Sequence, residues 1–443
     1  MASLPNSVER AVHADWRSTL AASLRQGLTR NVIEPWFPRS MDHIDGGFLS
    51  GFDQRWRPIG PQHRLLEFQA RQTRTAARLG VALPSDGTWP DIVRHGLSYL
   101  DGVMRDTRDG GWFALIDRSG RPLLGGTKHA HGTAYLIGCG AAAYQFSGDG
   151  TALGLAQEAF EWLETTLHDD EHGGYFGWAT RAGKVIRGTA DLPAELDGRE
   201  QDHLGHGLGF KDANVHSDLL EALTGLAAVS TDPRVMQRLA EVYDVLTGRF
   251  ITSAGAVHYL LQPDLRPVPG LERYGYPLQT GFRLEAAATQ LGRPLADAKT
   301  LARLMLDHTI EWGWDERRGG FVEAGPATEP RTMAGTRLHV LRRPWWVQTE
   351  GARLLLSAAL DEESPGPYRD RLTRLMQVVE TEFVDRIHGG WEMTARSDWP
   401  ARRRLRWRGM PKSDVWKDAS HEADMHLEAI RMLRGIAPAA PID

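Results

Sequence analysis

The chain has 443 residues, 41% hydrophobic and 25% charged, with a formal net charge of -5. That balance supports a large buried core and gives no reason to expect nucleic acid or an anionic membrane surface as a partner. One cysteine, Cys139, excludes an internal disulfide, residues 1–30 hold no continuous apolar stretch, and no run is long enough to span a membrane, so the expected location is the cytoplasm.

Along the chain one motif recurs: Asp, three residues, two glycines and an aromatic. It reads DHIDGGF from Asp42, DTRDGGW from Asp106, DDEHGGY from Asp169, DERRGGF from Asp315 and DRIHGGW from Asp385. The intervals are 64, 63, 146 and 70 residues. The long interval is about twice the others, so a copy has eroded there; ITSAGAVHYL, residues 251–260, stands in its place. Asp can close an Asx-turn, the glycines allow positive φ, and the aromatic begins an extended segment.

Helical patterns fill the intervals. Residues 152–168 put Leu155, Ala159, Phe160, Leu163 and Leu167 on one face, and 294–311 and 365–384 read similarly. These are expected outer helices, each leading into a Gly-Gly turn. A second set, richer in Ala, Gly and Leu, is expected near 62–80, 128–147, 212–230, 276–291, 344–360 and 415–434. Small residues on most faces suit helices packed on both sides. Six helix pairs with no obvious linker predict one (α/α)6 barrel spanning residues 1–443, an all-α toroid, with an open solenoid as the alternative topology.

In such a barrel the turns before the inner helices share one end, and polar and aromatic residues early on those helices converge there. They include Arg71, Lys128, His129, His131, Asn214, His216 and Asp218. Tyr274, Tyr276, Gln279, Trp345, Trp346, Gln348, Glu350, Trp416, Lys417 and His421 follow. Flat aromatics for stacking, with amides, cations and carboxylates for hydroxyls, make a sugar pocket.

The segments QARQTRTAAR at 69–78, KHAHGTAYL at 128–136, NVHSDLLEA at 214–222, YGYPLQTGF at 274–282, WWVQTE at 345–350 and WKDASH at 416–421 follow in one order. In that order the chain resembles the N-acylglucosamine 2-epimerase superfamily, which includes cellobiose and mannose 2-epimerases and aldose–ketose isomerases. The resemblance implies cofactor-independent, metal-free proton transfer at C2 of a free reducing sugar through an enediolate. Reprotonation at C2 gives the epimer, and at C1 the ketose. It implies His421 as an acid/base group, Arg71 at the carbonyl oxygen, Trp346 and Trp416 stacking on sugar, and Glu350 as the acid of the W-W-x-Q-x-E segment. Trp345, Asn214, Gln279, Asp218 and His131 complete the expected substrate-binding set.

Three positions depart from the family pattern. Its second acid/base histidine lies in a G-H-x-x-E segment, which here reads Gly275-Tyr276-Pro277-Leu278-Gln279; its other active-site histidine falls at Asp218; and Glu422 and Asp424 stand where an Arg is frequent. The second acid/base role is therefore open between Tyr276 and His216, and an unperturbed phenol is a poor base. Asp218 and Glu350 also permit a two-carboxylate glycoside hydrolase or lyase, and the loss of the G-H-x-x-E pair permits a non-catalytic sugar binder. A metal site is not expected: His421 and His426 are five residues apart, which turns their rings about 140° from each other on a helix, and His203 and His206 fall in a loop. The expected partner is a small carbohydrate, with a monomer or homodimer as the assembly.

Overall fold

The computed structural model describes residues 6–326, 340–361, 366–399 and 410–442, with side chains from residue 16 onward. Inner helices are α3 (Leu66–Ala82), α5 (Ala130–Ser147), α7 (Ala213–Ala227), α9 (Gly275–Gln290), α11 (Trp345–Leu360) and α13 (Ser420–Arg434). Outer helices are α1 (Asn6–Gly27), α4 (Trp89–Tyr99), α6 (Gly150–Leu167), α8 (Pro233–Val245), α10 (Leu295–Gly313) and α12 (Pro367–Val378); a short α2 (Glu34–Ser40) extends the first. Neighbouring inner helices pack in sequence order, and α13 packs back onto α3, so the ring closes and the solenoid topology is excluded. Each outer helix lies against the inner helix before it, and α1 lies against α13.

The repeated motif is a tight hairpin at the entrance to each inner helix. In all five clear copies the Asp N–H donates to the second Gly carbonyl, at 2.8–2.9 Å. Its Oδ1 accepts backbone N–H groups two or three residues on, as at Asp315 from Arg317 and Arg318. Both glycines have positive φ in every copy, for example 77° and 75° at Gly173 and Gly174, which a side chain at Cβ would oppose. In the eroded copy Thr252 replaces Asp: its Oγ1 accepts from Ala256 N–H at 3.1 Å, and only Gly255 is left-handed.

These hairpins also join neighbouring repeats. The residues just before an inner helix pair, antiparallel, with the arm of the next hairpin: Arg64–Leu65 with Leu115–Ile116, Lys128–His129 with Trp178–Ala179, Lys211–Asp212 with Leu260–Leu261, and Glu272–Arg273 with Ala324–Gly325. Pro344 bridges Thr394, and Ser413 bridges Phe52, so the last repeat pairs with the first.

A buried cation fastens the hairpins. Arg64, Lys128, Lys211 and Lys412 reach the motif carboxylates of Asp42, Asp106, Asp169 and Asp385 at 2.6, 3.1, 2.6 and 2.7 Å. In the fifth copy Arg343 donates to the Gly319 carbonyl at 3.0 Å. Where the motif has lost its Asp, the corresponding residue is Glu272, which accepts from Val257 N–H at 2.7 Å. A cation there would have no carboxylate to neutralise it, and an unpaired buried charge is costly.

The centre of the ring is ionic. Arg74 and Arg78 of α3, Arg283 of α9 and Arg353 of α11 interleave with acids of α7, α11 and α13. Arg283 pairs with Asp218 at 2.6 Å and Arg353 with Glu350 at 2.7 Å. Asp424 pairs with both Arg74 and Arg78, and Glu422 pairs with Lys417 at 2.8 Å. The acids at 422 and 424 therefore belong to the structural network of this barrel.

Candidate active site

A cavity of about 680 Å³ opens at the rim where the hairpins and inner-helix starts meet. Of the residues expected there, it brings together Arg71, His131, Asn214, Tyr276, Gln279, Trp345, Trp346, Trp416 and His421. Gln279 has its Oε1 buried without a partner among the described residues, an acceptor suited to a ligand hydroxyl. Gly275 is required beside it, because a Cβ there would collide with the Trp346 ring.

His421 is held from below. Its Nδ1 lies 2.9 Å from Glu350 Oε1, so with Glu350 ionised Nδ1 carries the proton and Nε2 keeps its lone pair. Burial opposes the Glu350 charge, but Arg353 and His421 hold its carboxyl below the ordinary range. The Trp345 and Trp346 rings flank the imidazole, with centroids 6.2 and 6.0 Å away. Arg71 is fixed by Asp418, at 2.6 Å from Nε, and donates from Nη2 to the Trp416 carbonyl at 3.0 Å.

His131 sits between two carboxylates, with Nδ1 3.1 Å from Glu67 and Nε2 2.8 Å from Asp218. Burial works against its charge, yet Asp218 and Glu67 carry the imidazolium up to about 9. His131 is therefore a cationic part of the wall whose ring nitrogens are both engaged, not a free base.

Three expected site residues do not line the cavity. His216 is fully buried: Tyr175 N–H donates to its Nε2 at 3.1 Å, and its Nδ1 donates to the Asp212 carbonyl at 2.7 Å. Gln69 and Gln348 make the same kind of contact to Phe48 and Phe321, so position 216 is a hairpin anchor. Asp218 and Glu350 lie behind His131 and His421 and are tied to arginines. The two-carboxylate hydrolase reading thus lacks its carboxylates: both are shielded from the cavity. Lys128 and Lys417 are likewise buried in ion pairs, and the Tyr274 hydroxyl donates to the Pro326 carbonyl at 3.1 Å.

The structure adds residues that sequence reasoning missed. The loop 180–210 crosses the rim and contributes His203 and His206, which sequence reasoning had placed in a loop and not in the pocket. His203 stacks on Trp416 at 6.1 Å and 20°. Tyr135, Tyr259, Arg273, Glu323, Arg342 and Asp414 complete the wall. A signal existed for one of them: Arg273 shares a repeat phase with His129 and Asp212, the second residue of the short strand that leads into an inner helix, and all three are polar. Tyr276 is buried, which pushes its phenol up to about 12 even with Arg273 nearby.

His129, Asp202 and His206 cluster beside the cavity with metal-ligand types and spacing. The hydrogen bonding contradicts a metal there. His131 N–H donates to His129 Nδ1 at 3.1 Å, so the proton of a neutral His129 resides on Nε2, where it donates to Asp202 at 2.9 Å. A nitrogen carrying a proton has no lone pair to offer an ion.

A helical toroid with a histidine–carboxylate pair, a buried arginine and several tryptophans at one rim is the architecture of a carbohydrate-converting enzyme. A family model described as N-acylglucosamine 2-epimerase (GlcNAc 2-epimerase) matches residues 46–189 and 195–405, and the chain belongs to that family. It is 21% identical to a cellobiose 2-epimerase of Bacteroides fragilis, covering 93% of this chain and 98% of that one. It is 22% identical to a D-mannose isomerase of Pseudomonas cannabina, covering 79% and 78%. Its fold matches the structure of a cellobiose 2-epimerase from Spirochaeta thermophila with a TM-score of 0.80, at 22% identity over 95% and 98% of the two chains. No helix among the described residues is long and apolar enough to cross a membrane.

Proposed function

We propose that the protein is a sugar 2-epimerase or aldose–ketose isomerase that acts on a free reducing sugar without cofactor or metal. The observation that carries this reading is the His421–Glu350 pair, an imidazole with one nitrogen fixed and the other free, in a cavity walled by tryptophans and polar side chains. His421 Nε2 takes the proton from C2 of the open-chain sugar. Arg71 stabilises the oxyanion that develops on O1 as the enediolate forms. Trp346 and Trp416 stack on the sugar rings, and Asn214 and Gln279 bind hydroxyls. Residues 1–443 act as one catalytic barrel in the cytoplasm, as a monomer or homodimer, with no nucleic-acid or membrane partner.

The test is incubation of the protein with a panel of aldoses and reducing disaccharides in deuterium oxide, followed by proton NMR. The expected result is deuterium at C2 of recovered sugar with appearance of an epimer or a ketose. Absence of exchange across the panel from a folded protein would count against the reading. Release of new reducing ends without C2 exchange would instead favour a glycosidase.

A further inference from the structure

Inversion at C2 needs proton donors on two faces of a planar enediolate, and the proposed function leaves the second one unassigned. Tyr276, at the position where the family pattern has histidine, packs between Trp346 and Tyr259 and shares a hydrogen bond with the Tyr259 hydroxyl. Its neighbour reaches an imidazole. Tyr259, in the hairpin of the fourth repeat, lines the cavity and stacks on Tyr276 with centroids 5.3 Å apart at 24°. Its hydroxyl is hydrogen-bonded to His206 Nε2. The opposite nitrogen of His206, Nδ1, faces Asp212 Oδ2 at 3.4 Å and Asp202 Oδ2 at 3.5 Å. Asp202 also fixes the loop that carries the histidine, because its Oδ1 accepts from the Leu204 and His206 N–H groups at 2.8 and 2.9 Å. The Arg273 guanidinium lies over the Tyr259 ring, 4.5 Å from its centroid. Phenol, imidazole and carboxylates are thus wired in series from the cavity into the protein.

Position supports the pairing with His421. Around the wall the rings run from His421 to Trp346, then Tyr276, then Tyr259, each contacting the next. Two rings therefore separate Tyr259 from the base along the cavity wall.

We propose that Tyr259 is the second proton-transfer group of the reaction and that His206, oriented by Asp212 and Asp202, resupplies its proton. The inference rests on the epimerase reading above. Two carboxylates beside it favour the imidazolium form of His206: burial opposes that charge, and Asp212 with Asp202 raises its affinity for the proton. Nε2–H then donates to the Tyr259 oxygen, and the phenol O–H, which hydrogen-bonds Tyr276 in the sugar-free protein, is the proton that turns to the sugar. His421 Nε2 takes the C2 proton, and the C–H electron pair becomes the enediolate. The Tyr259 O–H bond breaks as the new C2–H bond forms on the other face. The phenolate takes the proton from His206 Nε2, leaving neutral His206 and protonated His421, which re-equilibrate with solvent.

The test uses glucose, mannose and cellobiose deuterated at C2 of the reducing residue, with wild-type protein and the Tyr259→Phe, His206→Gln and Tyr276→Phe variants. Phe at 259 keeps the ring and its packing. Glucose and mannose differ in configuration at C2, so washout reports the His421 step only from the sugar whose C2 hydrogen faces His421. Epimer formation from that same sugar reports the donor on the opposite face, and the two rates are compared for it. For Tyr259→Phe we expect washout with retained configuration within about threefold of wild type and epimer formation at least 100-fold slower. His206→Gln should separate the two rates in the same direction, by about tenfold or more, whereas Tyr276→Phe should leave their ratio unchanged. A folding defect lowers both rates together and cannot change the ratio. Equal loss of washout and epimer formation in both Tyr259→Phe and His206→Gln, or an unchanged ratio, would overturn the proposal. Separation by Tyr276→Phe alone would overturn it in favour of Tyr276. If wild-type protein washes out no label from any of the three sugars, the underlying epimerase reading fails for them, a result distinct from failure of the Tyr259 assignment.

Discussion

Glu350 divides its two oxygens between an imidazole and a guanidinium: Oε1 lies 2.9 Å from His421 Nδ1 and Oε2 lies 2.7 Å from Arg353 Nη1. The arginine keeps the carboxylate ionised, and the carboxylate keeps the histidine proton on Nδ1. Replacing His421 with Asn should therefore slow C2 deuterium incorporation by about 10²–10⁴-fold while sugar still binds. Glu350→Gln should slow it less, because the base survives but loses its fixed tautomer. NMR exchange rates set beside binding isotherms distinguish the two.

Arg71 has no freedom to swing, since Asp418 and the Trp416 carbonyl hold it. Such a preorganised cation acts on charge that develops in the transition state. We expect Arg71→Ala to lower kcat by about 10²–10³-fold with a smaller change in KM. A variant that raised KM alone would show that Arg71 serves ground-state binding instead.

His131 binds its proton more tightly in the folded protein, at about 9 against an unfolded value near 6.5. Its contribution to stability is fully present below pH ~6.5 and is lost as pH rises through about 9. The upper bound is roughly 3 kcal/mol. Urea midpoints measured between pH 6 and 9.5 should fall, and His131→Gln should flatten that decline. A midpoint that rose with pH over this range would contradict the assignment of charge to His131.

Lys211 is buried against Asp169, the Gly173 carbonyl and the Pro263 carbonyl. Lys211→Met leaves the Asp169 carboxylate without its buried cation, which costs about 3–5 kcal/mol. The double change Lys211→Met with Asp169→Asn should recover part of that loss. Chemical denaturation of the three proteins measures both steps, and equal stability of single variant and parent would refute the fastening role.

The sequence by itself determined the architecture. The Asp–Gly-Gly–aromatic spacing is local chemistry: an Asx-turn and two left-handed glycines form the same hairpin wherever they occur, so their period reports the period of the fold. It also located the rim and, with the family resemblance, placed Arg71, His421, Trp346 and Trp416 at it. Closure of the ring was decided only by tertiary structure, because Ser413 meets Phe52 across the whole length of the chain. So was the fate of individual polar side chains. His216 and His131 lie on neighbouring inner helices, yet His216, in the phase of Gln69 and Gln348, anchors a hairpin, whereas His131, two residues nearer its helix start, lines the cavity between two carboxylates supplied by other repeats. Asp218 and Glu350 read as free carboxylates until arginines three-dimensionally adjacent, but distant or helically offset in sequence, neutralise them. His206 and Tyr259 escaped the pattern because a long loop and an eroded repeat carry them, and periodicity says nothing about where such segments cross a rim.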